Sequence, residues 1–322
     1  MTRRGLAGLV VAGIVALSGV SGLATVSGCG GDAPRPTAPK KDPAPAWADV
    51  FDKTPDLYAV IRPKALKRDG VYGAFFSALV RAAEARGIAR GDTMVQAAEG
   101  AEEIILGLDK GLDAALVLRG VPASLDPEKI TDADGRALFR PRSDRSKVVE
   151  YELLDRRTAD AGALFVLPDR TWVGALGDAR TRARQAFATP MNRPAPQLDA
   201  DALASVRVSG PLVHVIDGHP TFGLLAKKLT SATFTLKPAK GGVVVGLSYE
   251  DADATAWAEM QAKRLVDELS KKGGHAGHAG PDLAWLKDAK VAYEGNTVFV
   301  RVAVPPRLLE ELPRASGKDL GL

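Results

Sequence analysis

The chain has a single cysteine, Cys29, among its 322 residues. One thiol can form no intrachain disulfide, and it cannot provide the paired cysteines of a structural zinc site. The rest of the composition, with 46% hydrophobic and 25% charged residues, is that of an ordinary soluble globular chain. The 43 basic residues against 39 acidic ones leave a net charge of only +4, so a nucleic-acid partner is not expected.

The residues before Cys29 have the three parts of a secretory signal. Arg3 and Arg4 give a short basic start, and Leu6–Leu17 follows as an uncharged apolar run. The stretch from there to the cysteine is rich in small residues. This order of a basic, an apolar and a small-residue segment predicts a cleaved signal peptide over residues 1–28.

The signal region ends in four residues that resemble the lipobox of bacterial cell-envelope lipoproteins: Val26, Ser27, Gly28 and Cys29. The resemblance implies cleavage before Cys29, two acyl chains on its sulfur and often a third on the new amine, which together form a stable membrane anchor. It also implies a place in the bacterial cell envelope. By analogy with enteric bacteria, the absence of an aspartate directly after the cysteine favours the outer membrane, with the body facing the periplasm or the cell surface.

Two alternatives stay open at the N-terminus. Gly5–Gly28 is long enough to cross a bilayer as an uncleaved helix, since about 20 residues are needed. Its six glycines and three serines argue against a membrane helix. The pair Arg3-Arg4 also allows export by the twin-arginine route.

Proline-rich segments divide the chain. Gly30–Ala46 contains five prolines and no large apolar side chain, so it cannot contribute to a core and is predicted to be a tether. Thr189–Leu198 is a second such stretch and is predicted to be a linker. The predicted organisation is a signal peptide at 1–28, the lipidated cysteine and tether at 29–46, a first lobe at 47–188, the linker at 189–198, a second lobe at 199–314 and a tail at 315–322.

From Trp47 onward, short β-rich runs alternate with segments of helical period, which predicts an α+β fold. Asp178–Ala188 and Asp253–Ser270 have apolar stripes typical of helices packed on a core. The runs Ala232–Leu236 and Val243–Tyr249 flank two glycines and are predicted to form a hairpin.

The two lobes have a similar order of predicted elements, roughly β-α-β-β-α-β-β-α. In this comparison the strand Leu57–Ile61 corresponds to Leu212–Ile216, which we predict to be a strand that precedes the helix Phe222–Leu229. We expect two similar lobes of mixed, mainly antiparallel sheet with packed helices. An internal duplication and independent drift to a common pattern both account for the similarity.

The mature chain has no G-x-S-x-G elbow, P-loop, Rossmann fingerprint or H-E-x-x-H motif, so no catalytic residue and no cofactor is predicted. The candidate metal ligands are His214, Asp217 and His219 in the sequence HVIDGH, and His275 and His278 in a glycine-rich loop. On a strand, His214 and Asp217 would point to opposite faces. Two histidines on a loop bind a metal ion weakly, because ordering the loop costs entropy. Ordinary histidines in a turn and in a loop are therefore the favoured interpretation.

Arginines cluster in two places. One stretch carries five basic residues: Arg136, Arg140, Arg142, Arg145 and Lys147. It is either a surface that faces phosphate or lipid, or a solvated loop, which is the interpretation we favour. The predicted helix Asp178–Ala188 carries three more: Arg180, Arg182 and Arg184. These fit the polar side of an amphipathic surface helix.

We therefore expect a lipid-anchored envelope protein with a non-catalytic binding or scaffolding role. Its expected partners are the membrane, through the lipid anchor, and an envelope protein, a peptide or a small ligand, with a cleft between the lobes as the default ligand position. Two alternatives stay open, namely an envelope hydrolase whose carboxylates or histidines meet only after folding, and a structural spacer. A deep pocket lined by acidic residues or histidines of shifted pKa would favour the hydrolase.

Overall fold

The structure is a computed structural model that describes residues 47–51, 54–73, 76–77, 92–109, 113–131, 135–142, 147–154, 162–191, 193–196, 198–216, 223–238, 242–272 and 284–305. The predicted signal peptide, tether and C-terminal tail lie outside these residues. Within them, each helix is too short or too polar to cross a membrane.

The described chain forms strands, α-helices and short 3-10 helices. The strands are β1 (Leu57–Ile61), β2 (Glu103–Leu108), β3 (Ala114–Arg119), β4 (Phe139–Pro141), β5 (Val149–Leu153), β6 (Ala163–Val166), β7 (Trp172–Leu176), β8 (Ala204–Ser209), β9 (Leu229–Leu236), β10 (Val243–Tyr249), β11 (Lys290–Glu294) and β12 (Thr297–Val302). The α-helices are α1 (Pro63–Arg68), α2 (Asp92–Gly100), α3 (Asp178–Ala188), α4 (Gly223–Ala226) and α5 (Ala252–Lys272). The 3-10 helices are Trp47–Val50, Pro127–Lys129, Gly210–Ile216 and Ala284–Asp288.

These strands make one antiparallel sheet, in the order β11-β12-β10-β9-β8-β1-β2-β3-β7-β6-β5-β4. At its middle, β1 pairs with β2 of its own half and with β8 of the other half. The predicted α+β class with a mainly antiparallel sheet is confirmed. The two halves are joined at this point by the β1–β8 strand pair within one continuous sheet.

Strand register places alternate residues on the two faces of the sheet. Across five strands of the first half, one face carries a continuous row of apolar residues: Val60, Ile105, Val117, Val173 and Phe165. We call this face the front face. The 3-10 helix Trp47–Val50 and α3 pack on it, and Ala179 and Ala183 of α3 are fully buried there, at 0% exposure.

The back face carries the other α-helices. Ala258 and Ala262 of α5 are buried against Val298 of β12, in a cluster that includes other apolar residues of the sheet. Alanines four residues apart lie on one side of a helix, so α5 can approach the strands closely. Tyr249 at the end of β10 donates its hydroxyl to the carbonyl of Leu225 at 2.9 Å and thereby ties α4 to the same layer.

The two edge strands differ in length and exposure. β4 has three residues, and its flanking bonds to β5 run from Arg142 N–H to the Glu150 carbonyl and from Leu154 N–H to the Leu138 carbonyl, both at 2.8 Å. Alternate residues of an antiparallel strand bond to the same neighbour, so the nitrogen of Pro141, which has no hydrogen, faces away from β5. β11 at the other edge has five residues, and four of them are exposed.

One strand prediction in the second half is wrong. Leu212–Ile216 belongs to the 3-10 helix Gly210–Ile216 instead of a strand. Gly210 has a φ of 57°, outside the β region, and Pro211 cannot donate a hydrogen bond to a neighbouring strand, so β8 ends before them. The correspondence between Leu212–Ile216 and Leu57–Ile61 therefore fails.

The helix predicted over Phe222–Leu229 is shorter than expected. α4 ends at Ala226, and Leu229 is already the first residue of β9. Lys228 has a φ of 60°, the left-handed conformation that ends helices. The short strand β4 was not predicted.

Candidate anion-binding surface

The strands β4 and β5 place basic residues of one strand beside acidic residues of the other. Arg140 lies opposite Glu152, and the Arg142 N–H donates to the carbonyl of Glu150. Glu150 in turn lies opposite Phe165, which belongs to the front face. Because side chains alternate along a strand, all four charged residues lie on that face.

Helix α3 brings two further arginines to the same place. It begins directly after Gly177, whose φ is 62° and where a β-carbon would lie 2.2 Å from Oδ1 of Asp113. Asp113 also accepts the N–H of Asp178 at 3.0 Å, which fixes the first turn of the helix. The buried alanines of α3 face the sheet, and the neighbouring Arg180 and Arg184 both reach β5.

The Glu150 carboxylate is contacted by three guanidinium groups. Arg184 binds it through two nitrogens, with Nε 3.0 Å from Oε2 and Nη2 2.5 Å from Oε1. Nη2 of Arg180 lies 3.4 Å from Oε1, and Nη1 of Arg142 lies 3.7 Å from it. One negative charge is thus shared among three positive ones.

A second pair completes the group, since Nη2 of Arg140 lies 3.0 Å from Oε2 of Glu152. We define the arginine cluster as the following six residues: Arg140, Arg142, Arg180, Arg184, Glu150 and Glu152. Four guanidiniums and two carboxylates leave the cluster two positive charges in excess. Such an excess makes the surface attractive to an anion.

The arginines hold Glu150 in its ionised form. Burial alone raises the pKa of this carboxyl, but the hydrogen bond from Arg184 and the charges of Arg184, Arg180 and Arg142 outweigh burial and lower the pKa below its usual value. The same hydrogen bond raises the pKa of Arg184. Glu150 therefore serves as a fixed negative centre that positions the guanidiniums.

The cluster has a fixed inner part and an open outer part. The side chains of Glu150 and Arg180 are 13% and 21% exposed, whereas those of Arg142 and Arg140 are 58% and 66% exposed. The outer arginines can turn their remaining N–H donors toward a ligand while the inner pair keeps its geometry.

The sequence located these arginines in two separate stretches, and the structure brings four of them together. Arg136 and Lys147 are exposed, and Arg145 lies outside the described residues. Glu150 and Glu152 were not predicted to take part. The sequence did contain a signal for this pairing. Arg140 and Arg142 are two residues apart, as are Glu150 and Glu152, and this equal spacing is expected when two neighbouring antiparallel strands carry opposite charges on one face.

The predicted lipidation site and most of the predicted metal ligands belong to segments that the structure does not describe. Cys29, Asp217, His219, His275 and His278 lie outside the described residues. The backbone of His214 lies in the 3-10 helix Gly210–Ile216, so the strand geometry assumed for it does not apply. Among the described residues, no three histidine, cysteine or acidic side chains are grouped to hold a metal ion.

Open depressions on the described surface include the following two. One, of about 650 Å³, lies where the helices α1 and α2 meet neighbouring loops and includes Lys64, Glu102 and Arg170. The other, of about 370 Å³, lies between α5 and β11.

Where a described carboxyl has a shifted pKa, as in Glu150 and Asp251, the pKa is lowered by a basic partner. A general acid needs the opposite, a raised pKa.

The chain matches no protein-family model and no curated protein sequence. Its fold resembles that of TP0453. Crystal form I of TP0453 aligns with a TM-score of 0.50 and 11% identity over 83% of this chain and 96% of that one. Crystal form III aligns with a TM-score of 0.49 and 10% identity over 83% and 98%, respectively. At this identity, the similarity shows a common fold only.

Proposed function

We propose that this protein is a lipid-anchored, non-catalytic binding protein of the bacterial cell envelope, and that its body binds a phosphate-bearing group at the arginine cluster. The observation that carries the proposal is the excess, among the described residues, of four guanidiniums over two carboxylates on one exposed end of the sheet.

The chemistry of the cluster suits phosphate better than a single carboxylate. A guanidinium presents a planar set of N–H donors that matches two oxygens of a phosphate, and several guanidiniums can share its charge. Arg142 is the group best suited to first contact, because it is exposed and is the most distant of the three from Glu150. Lipid headgroups and free phosphates offer the same chemistry.

The anchor follows from the lipobox resemblance. Acylated Cys29 would hold the body near the headgroups of a membrane, and the proline-rich segment Gly30–Ala46 would space it from the surface. We propose the outer membrane as the location, with the body in the periplasm or at the cell surface. Mass spectrometry of the mature protein tests this directly, because an intact N-terminus or an unmodified Cys29 thiol would contradict the anchor.

We also infer that the two halves arose from one duplicated unit. Outward from the middle of the sheet, the strands run β1-β2-β3-β7-β6 in one direction and β8-β9-β10-β12-β11 in the other. In both directions, the first three strands follow the order of the chain. The next two strands form a hairpin, and its later strand (β7 or β12) lies nearer the middle of the sheet. The inference predicts that profiles built from relatives of each half align with each other strand for strand in this order; an alignment in another register would contradict it.

Vesicle binding tests the proposed ligand chemistry. The full chain with Arg140→Gln and Arg142→Gln should bind phosphatidylglycerol vesicles at least about threefold more weakly than the unchanged chain, because two exposed charges are lost. Vesicles of phosphatidylcholine and competition by inorganic phosphate distinguish a lipid headgroup from a free phosphate.

The matched control is Arg264→Gln with Lys271→Gln on α5, which also removes two exposed charges, since Arg264 is 73% and Lys271 72% exposed. It should leave binding unchanged. Equal binding by the variant with Arg140→Gln and Arg142→Gln and by the unchanged chain, to vesicles and to phosphate alike, would show that the arginine cluster is not the binding surface.

A further inference from the structure

Strand β11 forms the exposed edge of the sheet. It pairs with β12 on one side, and on its other side no strand of the described residues covers it. Lys290, Ala292, Tyr293 and Glu294 are exposed, Tyr293 to 56%. An edge strand with unpaired backbone groups can add a strand from another chain.

The turn after β11 fixes which of its backbone groups are free. Gly295 and Asn296 form a two-residue loop between the paired residues Glu294 and Thr297. Gly295 has a φ of 55°, as the first position of a type II′ turn requires. A two-residue hairpin loop closes on a hydrogen-bonded pair.

Starting from this closing pair, the backbone N–H and C=O groups of successive residues point alternately to the two sides of the strand. Glu294, Ala292 and Lys290 therefore direct their N–H and C=O groups to β12. Val291 and Tyr293 direct theirs to the free edge. These two residues define the register that a further strand can adopt.

We propose that β11 pairs antiparallel with β11 of a second copy of this chain, about a two-fold axis that passes by Ala292. In this register Val291 of each copy lies opposite Tyr293 of the other, so the outward N–H and C=O groups of both are used. The two copies exchange about four backbone hydrogen bonds. Ala292 of one copy then lies opposite Ala292 of the other.

Charge complementarity identifies the occupant as a second copy. Pairing about Ala292 places Lys290 of each copy opposite Glu294 of the other, at both ends of the contact. Lysine on an edge strand ordinarily discourages pairing. Here the acidic residue four positions along makes antiparallel self-pairing attractive, whereas parallel pairing would oppose Lys290 to Lys290.

A charge exchange between variants tests the proposal. In sedimentation of the full chain in detergent, the unchanged chain should form a dimer. Lys290→Glu alone and Glu294→Lys alone should each weaken dimerisation about tenfold, because each converts two attractive pairs into repulsive ones. An equimolar mixture of the two variants should dimerise again, since every pair between unlike variants is attractive.

The mixture separates lost pairing from lost folding, because a misfolded variant cannot restore association. A second measurement uses Ala292→Cys, which should form a disulfide between two copies, since residues opposite each other in a non-hydrogen-bonded pair are close enough. Ala123→Cys, at an exposed loop position, is the control. A chain that stays monomeric, a mixture that does not recover, or Ala292→Cys adducts to a different protein would each overturn the proposal.

Discussion

The ionisation of a carboxylate and its contribution to stability depend on the side chains around it, as Glu150 shows. Its neighbours in sequence are apolar or exposed strand residues, yet three arginines from two other elements converge on it. Because two of these arginines lie on α3, replacing Glu150 should affect the attachment of that helix as well as the charge of the surface.

We expect Glu150→Gln to lower the free energy of unfolding at neutral pH by about 1–2 kcal/mol, as for the loss of charge-assisted hydrogen bonds that are partly open to solvent. The folded-state pKa of Glu150 is lowered, so its contribution is complete above the ordinary pKa of 4.5 and is lost as the pH falls through the folded value. The difference between the unchanged chain and the variant should therefore shrink as the pH falls below about 4.5 in denaturant titrations.

Glu152→Gln is the control for this effect, because its carboxylate is 41% exposed and contacts Arg140 alone among the described residues. It should cost less than about 1 kcal/mol. A difference for Glu150→Gln that stays constant down to pH 3 would contradict the stated origin of the stabilisation.

At the scale of elements, the two glycine turns of the second half differ in what surrounds them. Gly242 before β10 and Gly295 before β12 have φ values of 66° and 55°. A β-carbon at Gly242 would lie 2.3 Å from the carbonyl oxygen of Val302, whereas a β-carbon at Gly295 would lie in open space among the described residues. Only at Gly242 does neighbouring backbone occupy the space that a side chain would need.

Gly295→Ala should cost about 1 kcal/mol, the price of a left-handed conformation for a residue with a side chain. Gly242→Ala should cost about 2 kcal/mol more, because the Val302 carbonyl is part of β12 and cannot move without disturbing the sheet. Thermal and denaturant unfolding of the two variants measure the difference. Equal costs would show that the close approach at Gly242 relaxes freely.

Local patterns predicted most elements because they depend on neighbouring residues. Asp178–Ala188 is a helix with the predicted bounds, and Val243–Tyr249 is a strand with the predicted bounds. The error at Leu212–Ile216 arose because its short run of apolar and β-branched residues resembles a strand, while Gly210 and Pro211 impose a turn. A pattern of side chains alone does not reveal where the backbone leaves the sheet.

For the whole molecule, the decisive contacts join residues far apart in sequence. The arrangement of β1 beside β8 depends on register between segments about 150 residues apart, as in the pair Tyr58 and Arg207. Local periodicity contains no such information. For the same reason the arginines of the candidate site were predicted as a solvated loop and as the polar side of a separate surface helix, and their meeting around Glu150 was not predicted.

Arg62 reinforces the junction of the two halves. Its guanidinium donates to the carbonyls of Asp199 and Ala202, and its Nε lies 3.1 Å from Glu103. Glu103 is also paired with Arg119. The end of β1 is thus bound both to its own half and to the segment that leads into β8.

Arg62→Met should lower the free energy of unfolding by about 2 kcal/mol and shift both halves together, because the shared sheet makes them unfold as one unit. Hydrogen exchange of β3 and β10 during denaturant unfolding measures the two halves separately. Arg264→Met on the surface of α5 should change stability by less than about 0.5 kcal/mol. Separate midpoints for β3 and β10 would contradict a single unfolding unit.

The short β4 strand, with Pro141 directed outward, sets a limit on assembly. A chain with two receptive edges could join others head to tail without end and grow into a fibre. At the β4 edge, Pro141 has no N–H to donate to an added strand. Pairing through β11 therefore uses, in each of the two copies, the edge that is open to pairing. Association by this route stops at a closed pair, which protects the protein from unlimited polymerisation.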